Sequence, residues 1–137
     1  MAYSVQEVPI EFVNRAWPDV EKFITTSVEY ADGEFTLDEV KARLVQGSWA
    51  LVVAVDESNT VRGVATVAYY NRTDHRVAFV TNFGGKFVSN PEVFSQFASI
   101  LVSKGATCME GAVRDSMLRL WARLGARKKS TNIQIIL

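Results

Sequence analysis

The sequence predicts a mixed α/β fold in which a central sheet carries helices on both faces. Three observations predict it. The run Trp49–Val55 is entirely apolar, as in a strand that is buried on both sides. Two further apolar segments follow it across turn-forming residues, which is typical of an antiparallel meander. The second half then alternates helical and extended patterns, so crossover helices should cover the sheet.

Length and composition favour one domain spanning residues 1–137. The chain is 48% hydrophobic, which is enough apolar material for a packed core, and it contains no linker or low-complexity tract. Cys108 is the only cysteine, so no internal disulfide can form. A lone cysteine suits a reducing compartment. No signal-peptide pattern opens the chain and no apolar run reaches about 18 residues, so we expect a cytoplasmic protein.

The first elements are a strand followed by two helices. Ser4–Val8 alternates as a strand does. Pro18 is predicted in the first turn of a helix, where its missing N–H removes no hydrogen bond. The stretch Thr36–Glu39 has the pattern of a capping box, in which the Thr hydroxyl and the Glu carboxylate each satisfy a backbone N–H. Gly47 is predicted to end this second helix in a left-handed conformation.

The meander consists of Trp49–Val55, Val61–Tyr70 and Arg76–Phe83, with polar turns between them. Asn90 then caps a third helix, with Pro91 at its first position.

The last elements are a strand, a helix and a strand. Thr107–Val113 is predicted to be extended. Asp115 is predicted to cap a helix that ends at Gly125, and Asn132–Leu137 is predicted to form a final strand. The complete order is β-α-α-β-β-β-α-β-α-β.

Charge is distributed unevenly, although the net charge is zero. Residues 1–60 hold eleven acids and four bases, a balance of −7, and the remaining residues hold four acids and eleven bases, a balance of +7. A basic C-terminal surface can bind nucleic acid or an acidic protein, whereas a dipolar surface is the simpler interpretation. We do not expect nucleic acid, because arginines on an amphipathic helix usually form its solvated face. The basic residues concerned are Arg119, Arg123, Arg127, Lys128 and Lys129.

The segment Arg114–Ala126 reads as an amphipathic helix that ends in Leu-Gly and leads into the last predicted strand. Together with the element order, it resembles the GNAT (acetyltransferase-like) superfamily. The resemblance covers nearly the whole chain. It implies acetyl-CoA, an amine acceptor and direct acyl transfer. It also implies two splayed strands that admit pantetheine, helix-start amides that bind the pyrophosphate, and a general base with a Tyr acid.

The resemblance places the cofactor loop between the third meander strand and the third helix. Gly84, Gly85 and Lys86 are the cofactor-binding candidates there. The spaced glycines of the family are absent, and a Gly-Gly pair is typical of a bulge or turn, with phosphate contact as the alternative. Pro91 removes one N–H from the helix start, and Glu92 places a negative charge where the phosphates would lie.

The catalytic positions also depart from the family. The Tyr acid aligns with Trp121, whose indole N–H cannot act as an acid, so we interpret Trp121 as a core residue. The strand that often carries the base has no carboxylate. Tyr69, Tyr70 and Asp74 are therefore the candidate catalytic residues. His75 is interpreted as a solvated turn residue, and one His with one Cys cannot build a metal site.

Two functional hypotheses follow. The first is a divergent, non-catalytic accessory or assembly protein that uses no cofactor. It would resemble the small GNAT-like virion-assembly proteins of short-tailed phages and would be cytoplasmic or virion-associated. The alternative is an active acetyl-CoA-dependent N-acetyltransferase acting on an amine. We also expect a protein partner or a second copy at the C-terminal edge strand, because an unpaired apolar edge invites association. No membrane partner is expected.

Overall fold

A five-stranded sheet organises the chain. The structure, a computed structural model, describes residues 2–30, 35–87 and 89–137. Neighbouring strands are antiparallel from β1 to β4, and β5 runs parallel to β4. The strands, in both chain and spatial order, are β1 Ser4–Val8, β2 Ala50–Val55, β3 Val61–Asn71, β4 Arg76–Gly85 and β5 Cys108–Gly111. The predicted meander and mixed sheet are confirmed.

Four α-helices within the described ranges cover this sheet. Two short 3₁₀ turns, Ile10–Phe12 and Asp115–Met117, precede the first and the last of them. The helices are α1 Val13–Tyr30, α2 Leu37–Gln46, α3 Pro91–Ser103 and α4 Leu118–Ala122. No helix of the described residues is both long and apolar enough to cross a bilayer.

Buried side chains form two clusters, one on each face of the sheet, which confirms helices on both faces. The first cluster joins α1 and α2 to the sheet, and the second joins α3 to the opposite face. Members of the first include Val20, Ile24, Leu44, Leu51 and Val64. Members of the second include Val52, Ala65, Val80, Phe87 and Phe97.

The predicted helix signals of α2 are present. The Thr36 hydroxyl accepts a hydrogen bond from the Glu39 N–H at 3.1 Å. The Glu39 carboxylate accepts from that same hydroxyl at 3.2 Å, whereas the sequence pattern assigned it to a backbone N–H. Gly47 ends the helix with a φ of 81°.

The prediction that α1 begins near Pro18 is wrong, because the helix begins at Val13 and encloses Pro18. The apolar stripe extends one turn further back than expected, since Val13 and Trp17 are only 2% and 8% exposed. A helix that encloses Pro18 lacks one backbone hydrogen bond. The free energy gained by burying Val13 and Trp17 against the sheet outweighs that loss and favours the longer helix.

The predicted final strand Asn132–Leu137 is also wrong, because these residues form no strand. Ile133 is 85% exposed and Leu137 is fully exposed. An extended segment gains hydrogen bonds only when it lies against a sheet edge, and this segment does not. The last helix is shorter than predicted as well, and Asp115 lies in a 3₁₀ turn without capping through its side chain.

Substitution of Gly85 tests how closely the backbones of β3 and β4 approach each other. Its φ of 75° and a Cβ that would overlap the Arg62 carbonyl oxygen both oppose any side chain. Gly125, with a φ of 93° and open space within 4 Å of where a Cβ would lie, is the matched control. We expect Gly125→Ala to cost about 1–2 kcal/mol through backbone strain alone. Gly85→Ala should cost clearly more, measured as the free energy of unfolding in urea. Equal losses would contradict the close approach.

Candidate functional site

The strands β4 and β5 diverge about halfway along β4. Their pairing ends at Val80 and Gly111, whereas the pairing of β4 with β3 continues to Gly85. Beyond Val80, the outer backbone edge of β4 therefore faces a gap with no neighbouring strand among the described residues. This gap lies where the sequence resemblance implies a slot for pantetheine.

A buried polar network lies beside the gap, on the α1 face. A bulge in β4 leaves Thr81 without a partner on β3 directly after Val80. The hydroxyls of Thr81 and Thr66 share a hydrogen bond of 2.6 Å. Thr66 also donates to Asn82 Oδ1 at 2.8 Å, and Asn82 Nδ2 donates to Ser27 Oγ at 3.0 Å. All four groups are neutral at any physiological pH, so none of them can serve as a general base.

Sequence reasoning missed this network. The signal in the sequence was the presence of polar residues inside otherwise apolar strands. In the structure, the Thr66 and Asn82 side chains are buried, with 0% and 4% of their surface exposed. Polar side chains at such positions must find partners within the fold.

Aromatic rings fill the α3 side of the gap. The Phe83 ring lies 5.1 Å from Trp121, 5.7 Å from Phe97 and 5.8 Å from Phe87, measured between ring centroids. Trp121 also contacts Phe94 of α3 at 6.2 Å. Trp121 is 8% exposed, which confirms its interpretation as a core residue. These contacts join β4, α3 and α4 along one side of the gap.

The backbone N–H groups at the start of α3 already have partners. The Asn90 side-chain oxygen accepts from Glu92 at 3.0 Å and from Val93 at 3.2 Å. The Asn90 carbonyl oxygen accepts from Phe94 at 3.0 Å, and Pro91 has no N–H. A phosphate at a helix start is bound through these same donors, so the first turn of α3 offers it no free one.

Gly84 and Gly85 are the last residues of β4 rather than part of an open loop. A Cβ on Gly84 would lie 2.9 Å from Phe23 atoms, so α1 packs directly against this backbone. The Lys86 N–H donates to the Arg62 carbonyl oxygen at 3.1 Å. The strand end is therefore closed by α1 and β3, and only the exposed Lys86 side chain remains to contact an anion.

The catalytic candidates lie at the opposite end of β4. Tyr69 and Tyr70 pair with Ala78 and Val77 near the beginning of that strand, and Asp74 lies in the preceding turn. A ten-residue strand spans about 30 Å. The structure therefore does not bring these candidates together with the cofactor-binding candidates.

The environments of these residues differ. Burial raises the pKa of Tyr69 to about 12, and the Glu7 carboxylate raises it further than Arg76 lowers it. Its hydroxyl is buried without a hydrogen-bond partner among the described atoms, so Tyr69 retains its proton at neutral pH. The Asp74 side chain is 71% exposed. His75 Nδ1 lies 2.9 Å from Thr107 Oγ1, which ties the turn to the start of β5.

Solved structures of similar shape are acetyltransferases. An aminoglycoside acetyltransferase from a soil metagenomic sample, solved with sisomicin, superposes with a TM-score of 0.68 at 11% identity, covering 98% of this chain and 96% of the other. A Trypanosoma brucei acetyltransferase gives 0.64 at 10% identity, covering 99% and 100%. The chain has the GNAT fold. No protein-family model and no curated protein matches the sequence significantly.

A groove of about 910 Å³ opens in this GNAT fold where β4 and β5 diverge, and its lining includes Val80, Phe83, Gly111 and Trp121. Phe79, Met109 and Leu118 give it an apolar lining, and residues 126–132 form one wall. Glu110 holds that wall in place. Its carboxylate accepts from Lys129 at 2.9 Å and pairs with Arg72 at 2.9 Å. These hydrogen bonds, led by that from Lys129, lower the pKa of Glu110 despite partial desolvation.

The cap on α3 can be tested by substitution. We expect Asn90→Ala to lower the free energy of unfolding by about 1 kcal/mol, because two first-turn N–H groups lose their acceptor. Asn90→Asp keeps an acceptor oxygen and should remain near the wild-type value. Urea unfolding monitored by circular dichroism measures both. Equal stability of the Ala and Asp variants would contradict the cap.

The pKa of Glu110 predicts an acid-sensitive contribution to stability. A carboxyl group with a lowered pKa stabilises the fold above its unfolded value of about 4.5, and the contribution is lost as pH falls through the folded pKa. Glu110→Gln should therefore be less stable than wild type at pH 7. The two proteins should converge in strongly acidic solution. A difference that persists unchanged at low pH would contradict the ion pairs.

Proposed function

We propose that this chain is a non-catalytic accessory or assembly protein that uses the GNAT fold for protein contacts. The observation that carries the proposal is the cap of α3, where Asn90 occupies the N–H groups of Glu92 and Val93. A coenzyme diphosphate bound there would have to displace this side chain. It would also lie beside the Glu92 carboxylate in the first turn, which opposes a second negative charge.

The aromatic packing beside the gap supports the same proposal. Phe83 and Trp121, whose ring centroids are 5.1 Å apart, lie between β4 and α4 and line the groove where β4 and β5 diverge. Moving them would expose large aromatic surfaces that are now packed, each contributing on the order of 2–3 kcal/mol through burial. A pantetheine arm would therefore be confined to the part of the groove that these rings leave open.

The described side chains near the gap are poorly suited to acid–base chemistry at neutral pH. The carboxylate of Glu110 is held by Lys129 and Arg72, and these hydrogen bonds lower its pKa. The network of Thr66, Thr81, Asn82 and Ser27 is neutral. Trp121 occupies the position that the resemblance assigns to the acid, and Tyr69, which lies on β3 opposite Ala78, has a pKa of about 12. A proton transfer near pH 7 needs a group whose pKa lies near that value.

The setting of the proposed role follows from the sequence resemblance. Size and element order resemble those of GNAT-like accessory proteins of short-tailed phages, and we extend the proposal to virion assembly in a host cytoplasm. The contact surface proposed for a partner protein is the C-terminal edge, where the groove beside β5 lies.

Acetyl-CoA binding tests the proposal. Because the N–H donors at the start of α3 are occupied, isothermal titration with acetyl-CoA should give no heat of binding, and the melting temperature should not change. An aminoglycoside acetyltransferase titrated under the same conditions is the positive control. A dissociation constant in the micromolar range would overturn the proposal, and the Asn90→Asp variant would then show whether the α3 start is the site.

The second candidate function is acetyl-CoA-dependent N-acetyltransfer to an amine. It is favoured by the divergence of β4 and β5 after Val80 and Gly111 and by the acetyltransferases of similar fold. In this case Gly84, Gly85 and Lys86 would lie nearest the cofactor. Release of free thiol from acetyl-CoA across a panel of amines would support it. Activity should then fall when Lys86 is changed to Ala, and absence of release across the panel would contradict it.

A further inference from the structure

We propose that a second cavity, at the end of the sheet where β4 begins, binds a small neutral molecule that carries a carboxamide group on a short apolar chain. The cavity has a volume of about 400 Å³, which lies within the range of small-molecule sites. Its lining includes Glu7 of β1, Tyr69 of β3 and Arg76 of β4. Among the described residues it shares none with the groove where β4 and β5 diverge, so the two sites are separate.

One side of the cavity is apolar. Val8, Ile10 and Trp49 line it, and Ile10 is a large apolar side chain that remains 55% exposed. Leu44 and Leu51, which also belong to the lining, are 0% and 1% exposed and connect this side to the first core cluster. An apolar chain that enters the cavity therefore leaves water and covers Ile10 at the same time.

The other side of the cavity is polar and lies toward the end of α3, where Lys104 follows the helix. The Lys104 ammonium pairs with Glu7 Oε2 at 3.0 Å. Arg76 Nε donates to the Lys104 carbonyl oxygen at 3.1 Å, and the Arg76 guanidinium lies 5.4 Å from the centroid of the Tyr69 ring. These contacts hold four polar side chains together along one side of the cavity.

Two polar atoms on this side have no hydrogen-bond partner among the described residues. They are Glu7 Oε1 and the Tyr69 hydroxyl, and both are buried. A buried polar atom without a partner costs free energy, so each calls for a group that would satisfy it. Neither atom is exposed to solvent, and a ligand gains both hydrogen bonds when the two side chains, which line the cavity, rotate toward it.

The two atoms need different groups from a ligand. A carboxylate oxygen only accepts a hydrogen bond, whereas a phenol hydroxyl can donate one. A carboxamide supplies an N–H for Glu7 and a carbonyl oxygen for Tyr69 without adding charge. A ligand carboxylate would lie beside Glu7, and a ligand ammonium would lie beside Arg76 and Lys104. Like charges repel, which favours the neutral head group.

Three probes with the same six-carbon chain test the head group, and they are hexanamide, hexanoate and hexylammonium. Titrations of the isotope-labelled full chain are followed by two-dimensional NMR. We expect hexanamide to shift the backbone signals of residues 47–51, which line the cavity, and the two charged probes to bind clearly more weakly. Equal binding of all three probes would indicate apolar contact alone and would overturn the proposal. So would absence of binding at the solubility limit of hexanamide.

The substitution Tyr69→Phe removes only the hydroxyl and tests its role. We expect the affinity for hexanamide to fall about tenfold, which is the net value of one hydrogen bond. The melting temperature should not fall, because the hydroxyl has no protein partner to lose. Tyr70→Phe is the matched control, since Tyr70 is the next residue, is 41% exposed and does not line the cavity; it should bind as wild type does. A lower melting temperature with unchanged affinity for Tyr69→Phe would assign the hydroxyl to an internal water and overturn the proposal.

A blocked tripeptide with a central glutamine carries the same carboxamide and distinguishes the source of the ligand. Hexanamide should bind more tightly, because its free chain can lie against Ile10 and Trp49. Tighter binding of the tripeptide would overturn the assignment to a free small molecule. These titrations are independent of the acetyl-CoA titration, because the two probe cavities with different linings.

Discussion

The close approach of β3 and β4 at their ends constrains the structure around the candidate site. Gly63 pairs with Gly85, and a Cβ on Gly63 would lie 2.8 Å from the Phe87 ring. Only backbone fits between the strands and this ring. The chain leaving β4 therefore turns directly into the core, where Phe87 is 0% exposed. A side chain at either glycine would push the strand ends apart and displace Phe87 from its cluster.

The position of Phe87 determines how α3 packs. Phe87 lies edge-on against Phe97 of α3 at 5.1 Å, and both rings contact Phe83. The helix is thereby held against the diverging part of β4, and Trp121 closes the remaining side. Phe83 and Trp121 thus line one side of the groove between β4 and β5.

The two ends of β4 differ in the charge of the side chains around them. At the diverging end, neutral side chains satisfy one another, and the helix start is capped by Asn90. At the other end, charged and aromatic residues cluster around the turn, including Glu7, Tyr69, Arg76 and Lys104, with Lys104 paired to Glu7 at 3.0 Å. These charged groups lie around the first residues of β4, whereas Asn90 and the glycines Gly84 and Gly85 lie at its far end.

Much of the architecture could be predicted from local patterns. Apolar runs identified β2 to β4 to within a few residues, the Thr36 and Asn90 caps marked two helix starts, and the missing N–H of Pro91 already indicated a poor anion site. These features depend on neighbours in sequence, which periodicity and capping rules describe. The start of α1 could not be placed in this way, because burial of Val13 and Trp17 against the sheet outweighs the signal of Pro18.

The amino-acid sequence alone was enough to predict most of the element order and the helix caps of α2 and α3. Three features emerged only from the folded chain: β4 and β5 diverge after Val80, aromatic rings line the gap, and Asn132–Leu137 does not pair with the sheet. Local propensity makes the last segment capable of forming a strand. A strand exists only where another edge meets it, however, and that depends on residues distant along the chain or on a second molecule.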